Sequence, residues 1–571
     1  MSHPAHAPPP AGQGPREDVR GGLARRRSLL AGGTAARGES LLSACEWALA
    51  LGASGMLVWI HARNWLLAPM LWRDEISTLH IATRPTLGEL WARMEWESSP
   101  LLWPLVLRGW ADLGFGGTAL ALRALAFGVG MLVLASLFVA LRRTAGTVPL
   151  LSLLLVAANP AVIRFGDTLR AYGLALAFAI LLVPAMWRLS LRVTRGAAAA
   201  AALTCVLAVH CLYHDAVVVF ALAVACAASW LVRRRLAQAA APLAIGAAVA
   251  VTLVPYAGPL SRARAWNGIM QAPVDLAWLA GRLRATIDAG GAGLSALWCA
   301  LVVALLVACA RSAGRAAPHS EARAEAAFFS VSLVPGVVAY AAFLLLVGYP
   351  TQSWYYFSLL GFAAVLIESG LHRTLAASAA WRVARLAIAA AGFALALPGL
   401  WRDGPVRLTN LDAVAQVLRD EARPDDLVLV YPWYLGIAFD HYDAGPAPWL
   451  GVPDLPDHAL TRYDLLKALM TKPDEARRAA DRAQETLDRH GRVWVVGELP
   501  LIESNPPAPV LPIAPGSPFG WQEGAYELLW GRDAAHRLQS RANVIARVPL
   551  PDLGAVSPFE APPLYRFEAR R

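Results

Sequence analysis

Charge is scarce in this 571-residue chain: 16% of its residues are Asp, Glu, Lys or Arg, while 57% are hydrophobic. That excludes an ordinary soluble protein of this size, because several apolar runs reach the ~20 residues that cross a bilayer. Lysine is nearly absent, and the net charge of +10 comes almost wholly from arginine. The arginines gather at alternate ends of apolar segments, a pattern of topology signals and headgroup contacts rather than of a nucleic-acid surface. Cysteine is sparse. Cys45, Cys205, Cys211, Cys226, Cys299 and Cys309 lie in or beside apolar runs, with no CxxC spacing and none in the polar C-terminal stretch. They exclude a disulfide framework there and read as small core residues. GxGxxG and P-loop motifs are missing too, which argues against a nucleotide site.

What is present is a series of apolar segments. Residues 1–40, rich in Pro, Gly, Ala and Arg, are expected to form a disordered basic tail on the cytoplasmic side. The run 42–62 is too long for a signal-peptide core and has no clear small-residue cleavage site, so it is expected to be an uncleaved first span. The polar stretch 63–100 then lies outside, with helical pieces near 74–83 and 86–96. Residues 100–113 are apolar but too short to span and are expected to lie along the membrane surface. That placement lets the positive clusters alternate through ten further spans, near 119–141, 147–163, 171–188, 198–212, 216–232, 240–256, 293–310, 326–347, 354–370 and 382–399. The expected fold is thus an α-helical polytopic membrane protein of about eleven spans over 41–400, with the outer loop 63–118 carrying an acidic motif. A soluble α/β domain follows over 401–571. Its expected elements are a helix over 411–421, strands at 427–431, 493–496 and 564–567, and helical sequence from Tyr463 to His490.

This register puts the unusual polar groups on one face. Arg73, Asp74 and Glu75 occupy the first outer loop; Arg164, Asp167, Arg170 and Tyr172 the second; Tyr213, His214 and Asp215 the third; Arg262 and Arg264 the fourth; Gln352, Trp354, Tyr355 and Tyr356 the fifth. Each has a bland alternative. Asp74 can cap the helix that follows it; Asp167 can pair with Arg164 or Arg170; the histidine, arginines and aromatics can rest among headgroups. Glu46, inside the first span, is explained by neither reading. Convergence on one face favours group transfer from a lipid phosphate. A carboxylate at the membrane boundary takes the proton of an acceptor hydroxyl. A second, Asp167, shares that role or helps Asp74 hold Mg²⁺ or Mn²⁺. Arginines suit the phosphate. Outside the cell nucleotide sugars are not available, so the donor is expected to be a polyprenyl-linked sugar.

The residues carry a resemblance as well. A first span followed by Trp72-Arg73-Asp74-Glu75, a surface segment with Ser99-Pro100-Leu101 leading to Arg108, and Arg123 opening the next span resemble the GT-C glycosyltransferases of the protein mannosyltransferase, aminoarabinose transferase and RgtA/B/C/D-like group. Asp167-Thr168-Leu169-Arg170-Ala171-Tyr172-Gly173 is similar to that group's second outer-loop motif, and Tyr213-His214 to its next aromatic/His position. The group's His-Pro-Pro is Ser98-Ser99-Pro100 here. The resemblance implies a multi-pass protein of a bacterial inner membrane with a periplasmic C-terminal domain. It further implies transfer with inversion from a polyprenyl-phosphate sugar to a lipid, glycan or protein acceptor. Asp74 would be the general base, Glu75 its partner and Asp167 the second acidic position. Arg73, Arg170, Tyr172, His214, Arg262, Arg264 and Tyr355 would contact substrate. The rivals are a flippase or transporter of lipid-linked glycans, an O-antigen ligase-like enzyme, and a non-catalytic scaffold.

Overall fold

In the computed structural model, residues 18–375, 378–402, 404–443, 445–472, 475–501 and 523–569 are described, with side chains from residue 39 onward. The chain is a multi-pass helical membrane protein carrying a small soluble domain. Among the described residues nine helices are long and apolar enough to cross a membrane. The first, α1 (Asp18–Leu67), is 50 residues long. Its backbone is helical from Asp18, where an irregular tail to residue 40 was expected; the Ala-, Leu- and Arg-rich sequence favours helix once it continues an apolar span. Residues 1–17 lie outside the described residues.

Two short helices follow on the same face, α2 (Arg73–Ala82) and α3 (Leu102–Trp110). The nine residues of α3 rise only ~14 Å, which is too short to cross. The next helices are α4 (Ala119–Thr144), α5 (Tyr172–Leu191), α6 (Arg195–Cys211), α7 (Asp215–Val232) and α8 (Leu236–Val251). Then come α9 (Leu294–Arg315), α10 (Glu321–Val347), α11 (Phe357–Leu375) and α12 (Ala379–Arg402).

Two of the eleven expected spans are not among the nine. The α6 helix has 17 residues and falls short, whereas α8 counts as a span because helix continues from it to Arg264. The stretch expected at 147–163 is broken into a π turn, Leu153–Ala157, and a short helix, Pro160–Gly166. Pro160 cannot continue a hydrogen-bond ladder from the preceding turn and starts a new helix, with the Asn159 side chain accepting from the Ala161 and Val162 N–H groups. The chain then turns into α5 at Gly173. A Cβ there would lie 2.2 Å from the Gly166 carbonyl oxygen, so only glycine permits the close approach. This approach sets the 166–172 turn against the first half of α4, at Arg123, Val129 and Gly130.

The soluble domain holds five strands: β1 (Leu427–Val430), β2 (Trp449–Gly451), β3 (Arg492–Val496), β4 (Ala542–Val548) and β5 (Leu564–Ala569). Their order is β2-β1-β3-β5-β4, parallel over the first three and antiparallel beyond. The helix Leu411–Glu421 and the central strands fall where the sequence puts them. The span 463–490 is two helices, Tyr463–Met470 and Arg478–Asp488, rather than one. The edge strands β2 and β4 and the last helix, α13 (Glu523–Arg541), carry weaker patterns and were not anticipated.

This domain grips α2 along its length. The Tyr442 hydroxyl accepts from the Leu71 N–H (2.8 Å) and donates to the Leu71 carbonyl (2.9 Å). Glu560 meets Arg73, and His80 bonds the Ala459 carbonyl (2.8 Å). At the opposite end of the bundle sits a closed ionic cluster, which accounts for Glu46. Arg385, fully buried, bonds Glu46 (2.8 Å), Glu368 (3.5 Å) and Thr147 (2.9 Å). Arg382 bonds Glu46 (2.7 Å). Glu368 accepts the N–H groups of Leu150, Leu151 and Ser152. Burying such charges costs several kcal/mol each unless they are paired, and here all are.

Candidate active site

The N-cap of α2 is Trp72, so Asp74 is not the cap. Glu75 takes the reach-back half of a capping box: its carboxylate accepts the Trp72 N–H at 3.1 Å. The same carboxylate accepts the Leu169 N–H (2.7 Å) and an Arg123 guanidinium N–H (2.7 Å), and Glu75 is wholly buried. Arg123 also donates to the carbonyls of Met70 (2.8 Å) and Asp167 (3.0 Å). Glu75 and Arg123 therefore tie the α2 N-terminus, the start of α4 and the 166–172 turn together.

Helical neighbours point in different directions, and Asp74 turns the other way. Its carboxylate is 30% exposed and lies 3.6 Å from the Arg73 guanidinium. Its charge is felt by Tyr172, Tyr355, Tyr463 and Glu560. The surround is thus aromatic and polar, contributed by the α5 and α11 ends of the bundle and by the soluble domain.

Arg73 is held from the soluble domain. Its N–H donates to Glu560 (3.2 Å), and its guanidinium reaches Glu560 (3.5 Å) and the Phe559 carbonyl (3.0 Å), while stacking on Tyr434 at 4.4 Å. The Phe559 ring enters a nest of Trp72, Phe165 and Trp354, and Tyr172 stacks on Trp354. Trp354 and Tyr356 are accordingly buried against protein, not set in a lipid-facing belt. Glu523 and Glu527, on the first turns of α13, face the same guanidinium. Burial pushes Glu560 and Glu527 up to about 7; burial and the charge of Glu527 push Glu523 to about 8.

Arg170 does not stand free. It forms a buried pair with Glu97 (3.3 Å), bonds Ser98 (2.5 Å) and Thr78, and reaches the Asp74 carbonyl (3.2 Å). Glu97 in turn accepts from Thr78 (2.7 Å) and from the Ser99 N–H (3.1 Å) and hydroxyl (3.0 Å). Ser98-Ser99 thus serve this knot. Arg108 sits at the other end of α2, donating to the Ala82, Arg84 and Pro85 carbonyls.

Asp167 lies apart from Asp74. Its carboxylate bonds His61 at 2.5 Å, and with Arg164 and Arg123 it lines a cleft whose walls do not include Asp74. Burial pushes it above the usual carboxylate range, with His61 opposing. A shared Mg²⁺ or Mn²⁺ does not fit, because Asp74 and Asp167 do not converge and Glu75 is fully engaged. Among the described residues no three His, Cys, Asp or Glu side chains could hold a metal ion together.

His214 is buried, stacked on Tyr355 and edge-on to Tyr340; burial drops it to about 3, a neutral imidazole at any working pH. Arg262 pairs with Glu95 (3.2 Å) and stays half-exposed, and Arg264, two residues on, is exposed. The sequence reading singled out Arg73, Asp74, Tyr172 and Tyr355, which the fold brings together. It missed Glu97, Glu560, Tyr434, Tyr463, Glu523 and Glu527.

No family model matches the chain, and no curated protein does either. Among solved structures it is similar to ArnT from Cupriavidus metallidurans bound to undecaprenyl phosphate, at TM-score 0.47 and 14% identity over 78% of this chain and 93% of that one. It is also similar to the oligosaccharyltransferase AglB from Archaeoglobus fulgidus in complex with an inhibitory peptide and a dolichol-phosphate, at TM-score 0.46 and 12% identity over 92% and 74%. The Archaeoglobus fulgidus enzyme in complex with Zn and sulfate gives TM-score 0.45 and 12% identity over 78% and 68%.

Proposed function

We propose that this chain is a GT-C-type membrane glycosyltransferase that moves a sugar from a polyprenyl-phosphate donor to an acceptor hydroxyl, with Asp74 as general base. One observation carries the reading. Among the carboxylates around α2, Glu75, Glu97, Asp167 and Glu560 are buried or nearly so and paired, whereas Asp74, paired only at 3.6 Å with Arg73, is 30% exposed beside aromatic rings. A base must reach its proton, and an aromatic surround suits sugar faces.

In the reaction, Asp74 takes the acceptor hydroxyl proton as that oxygen attacks the anomeric carbon. The bond from that carbon to the phosphate oxygen breaks, and the polyprenyl phosphate leaves with the electron pair. Attack opposite the leaving group inverts the centre. Arg73 is the guanidinium proposed for the developing phosphate charge because it lies 3.6 Å from the Asp74 carboxylate, although it too pairs with a carboxylate, Glu560 at 3.5 Å. The membrane is a bacterial inner membrane and the site faces the periplasm, where a lipid-linked donor is the available form. A flippase for lipid-linked glycans has no observation of its own here: the charged residues Glu46, Glu368, Arg382 and Arg385 within the spans are mutually paired.

The test starts with mass spectrometry of envelope glycans with and without the protein, which names the sugar and acceptor. Reconstitution with the implicated lipid-linked donor follows. Asp74→Asn should fold as wild type and lose transfer by about 10²–10⁴-fold, the usual contribution of a general base. Wild-type transfer by that variant would overturn the assignment.

A further inference from the structure

A second feature lies at the far end of the bundle. Arg123, near the start of α4, touches the site, and Thr144 at its end pairs with Ser369 and accepts from Arg373. The 26 residues of α4 separate the two faces by ~39 Å. On that arginine-rich face a cleft of about 1010 Å³ opens between α9, the start of α10 and the end of α11.

One wall is built of Cys299, Ala300, Val303, Ala304, Val307 and Ala308 on α9; beyond it stand Arg311 and Arg315, one turn apart, with Ser312 and Thr374 beside them. From Cys299 to Ala308 the helix rises ~14 Å. That matches the hydrocarbon depth of one leaflet, half of ~30 Å. The guanidiniums therefore stand at headgroup level above a trough of small apolar residues.

Neighbouring acids do not neutralise them. Glu321 bonds Arg233, Glu325 bonds Arg373, and Glu46 bonds Arg382 and Arg385. Among the described residues no ion pair or hydrogen bond joins Arg311 or Arg315 to a carboxylate. We propose that the cleft binds one anionic phospholipid of that leaflet, an acyl chain along Ala300–Ala308 and the headgroup phosphate on Arg311 and Arg315. Arginine suits that phosphate because its paired donors match two oxygens and it keeps its charge.

Native mass spectrometry of the detergent-purified full chain, titrated with phosphatidylglycerol or phosphatidylcholine, tests this. The wild type should retain one phosphatidylglycerol in preference to phosphatidylcholine. Arg311→Gln/Arg315→Gln should weaken phosphatidylglycerol retention about 30-fold, the scale expected for losing two basic residues at a headgroup. Ala304→Trp, which fills the trough without touching charge, should weaken both lipids. Arg188→Gln/Arg192→Gln, exposed arginines of the same face outside the cleft, should change nothing. Equal retention of the two lipids by the wild type would overturn the proposal. So would unchanged retention in either cleft variant, or an equal loss in the Arg188/Arg192 control. Lipid retention is read without any sugar transfer, so failure here leaves the transferase reading standing.

Discussion

Two ionic assemblies stand at opposite ends of this bundle, and they are built to different rules. At the end away from the soluble domain Glu46 and Glu368 meet Arg382 and Arg385, two charges against two, with the remaining carboxylate capacity of Glu368 filled by backbone N–H groups. At the site, Asp74, Glu75, Glu97 and Glu560 face Arg73, Arg123 and Arg170, with Glu523 and Glu527 adding further acid. The balanced assembly staples helices α1, α11 and α12 to the broken segment. The unbalanced one does the same through Glu75 and Glu97 but leaves Asp74 open. Excess acid that is not neutralised is what separates a candidate site from a staple.

The largest expected effects break that comparison directly. Asp74→Asn should remove transfer yet leave thermal unfolding in detergent within about 0.5 kcal/mol of wild type, as expected where no buried partner is lost. Glu75→Ala and Arg385→Ala should do the reverse, each costing about 3–5 kcal/mol by stranding a buried charge. If Glu75→Ala unfolds like wild type while Asp74→Asn does not, the roles of the adjacent carboxylates are swapped. Glu560→Ala should cut the turnover number about tenfold through Arg73 misplacement, with Glu560→Gln closer to wild type because its amide oxygen still accepts from Arg73. An unchanged turnover number in Glu560→Ala would make the clasp structural only.

A smaller effect follows from pH. Glu560, Glu527 and Glu523 lie at about 7, 7 and 8 in the fold, above the carboxyl's ordinary 4.5. The folded state therefore holds more protons than the unfolded one between 4.5 and 8, and stability falls as pH rises through that window. Melting temperature should decline from pH 5 to 8, and Glu523→Gln/Glu527→Gln should reduce the slope while Glu560 keeps its share; a slope unchanged in the double variant rules out Glu523 and Glu527 as its source. Smallest of all, Arg262→Gln breaks a half-exposed pair with Glu95 and should cost under ~1 kcal/mol, with transfer unchanged.

The membrane helices were readable because an apolar run of span length has few other fates, and Asp74 because charge beside such a run must be accommodated. The break at Asn159-Pro160, an Asn cap before an N1 proline, lies inside the stretch expected as a single span at 147–163. Arg170 and Glu97 form a pair that no local pattern announces, since 73 residues separate them. Glu560 is 487 residues from Arg73 and sits in an irregular link between two strands. Periodicity along the chain carries no information about such distant partners. The weak edge strands β2 and β4 fail for a related reason: their pairing comes from neighbours rather than from their own alternation.

The contact between Arg73 and Glu560 also sets an order of events during synthesis. Arg73 is made with the first span, whereas its carboxylate partner emerges after every span has been translated. Until then α2 has neither its Tyr442 tether nor its Phe559 plug, and a chain that has finished inserting is still without its assembled site. The clasp on Arg73 therefore closes only when the soluble domain folds.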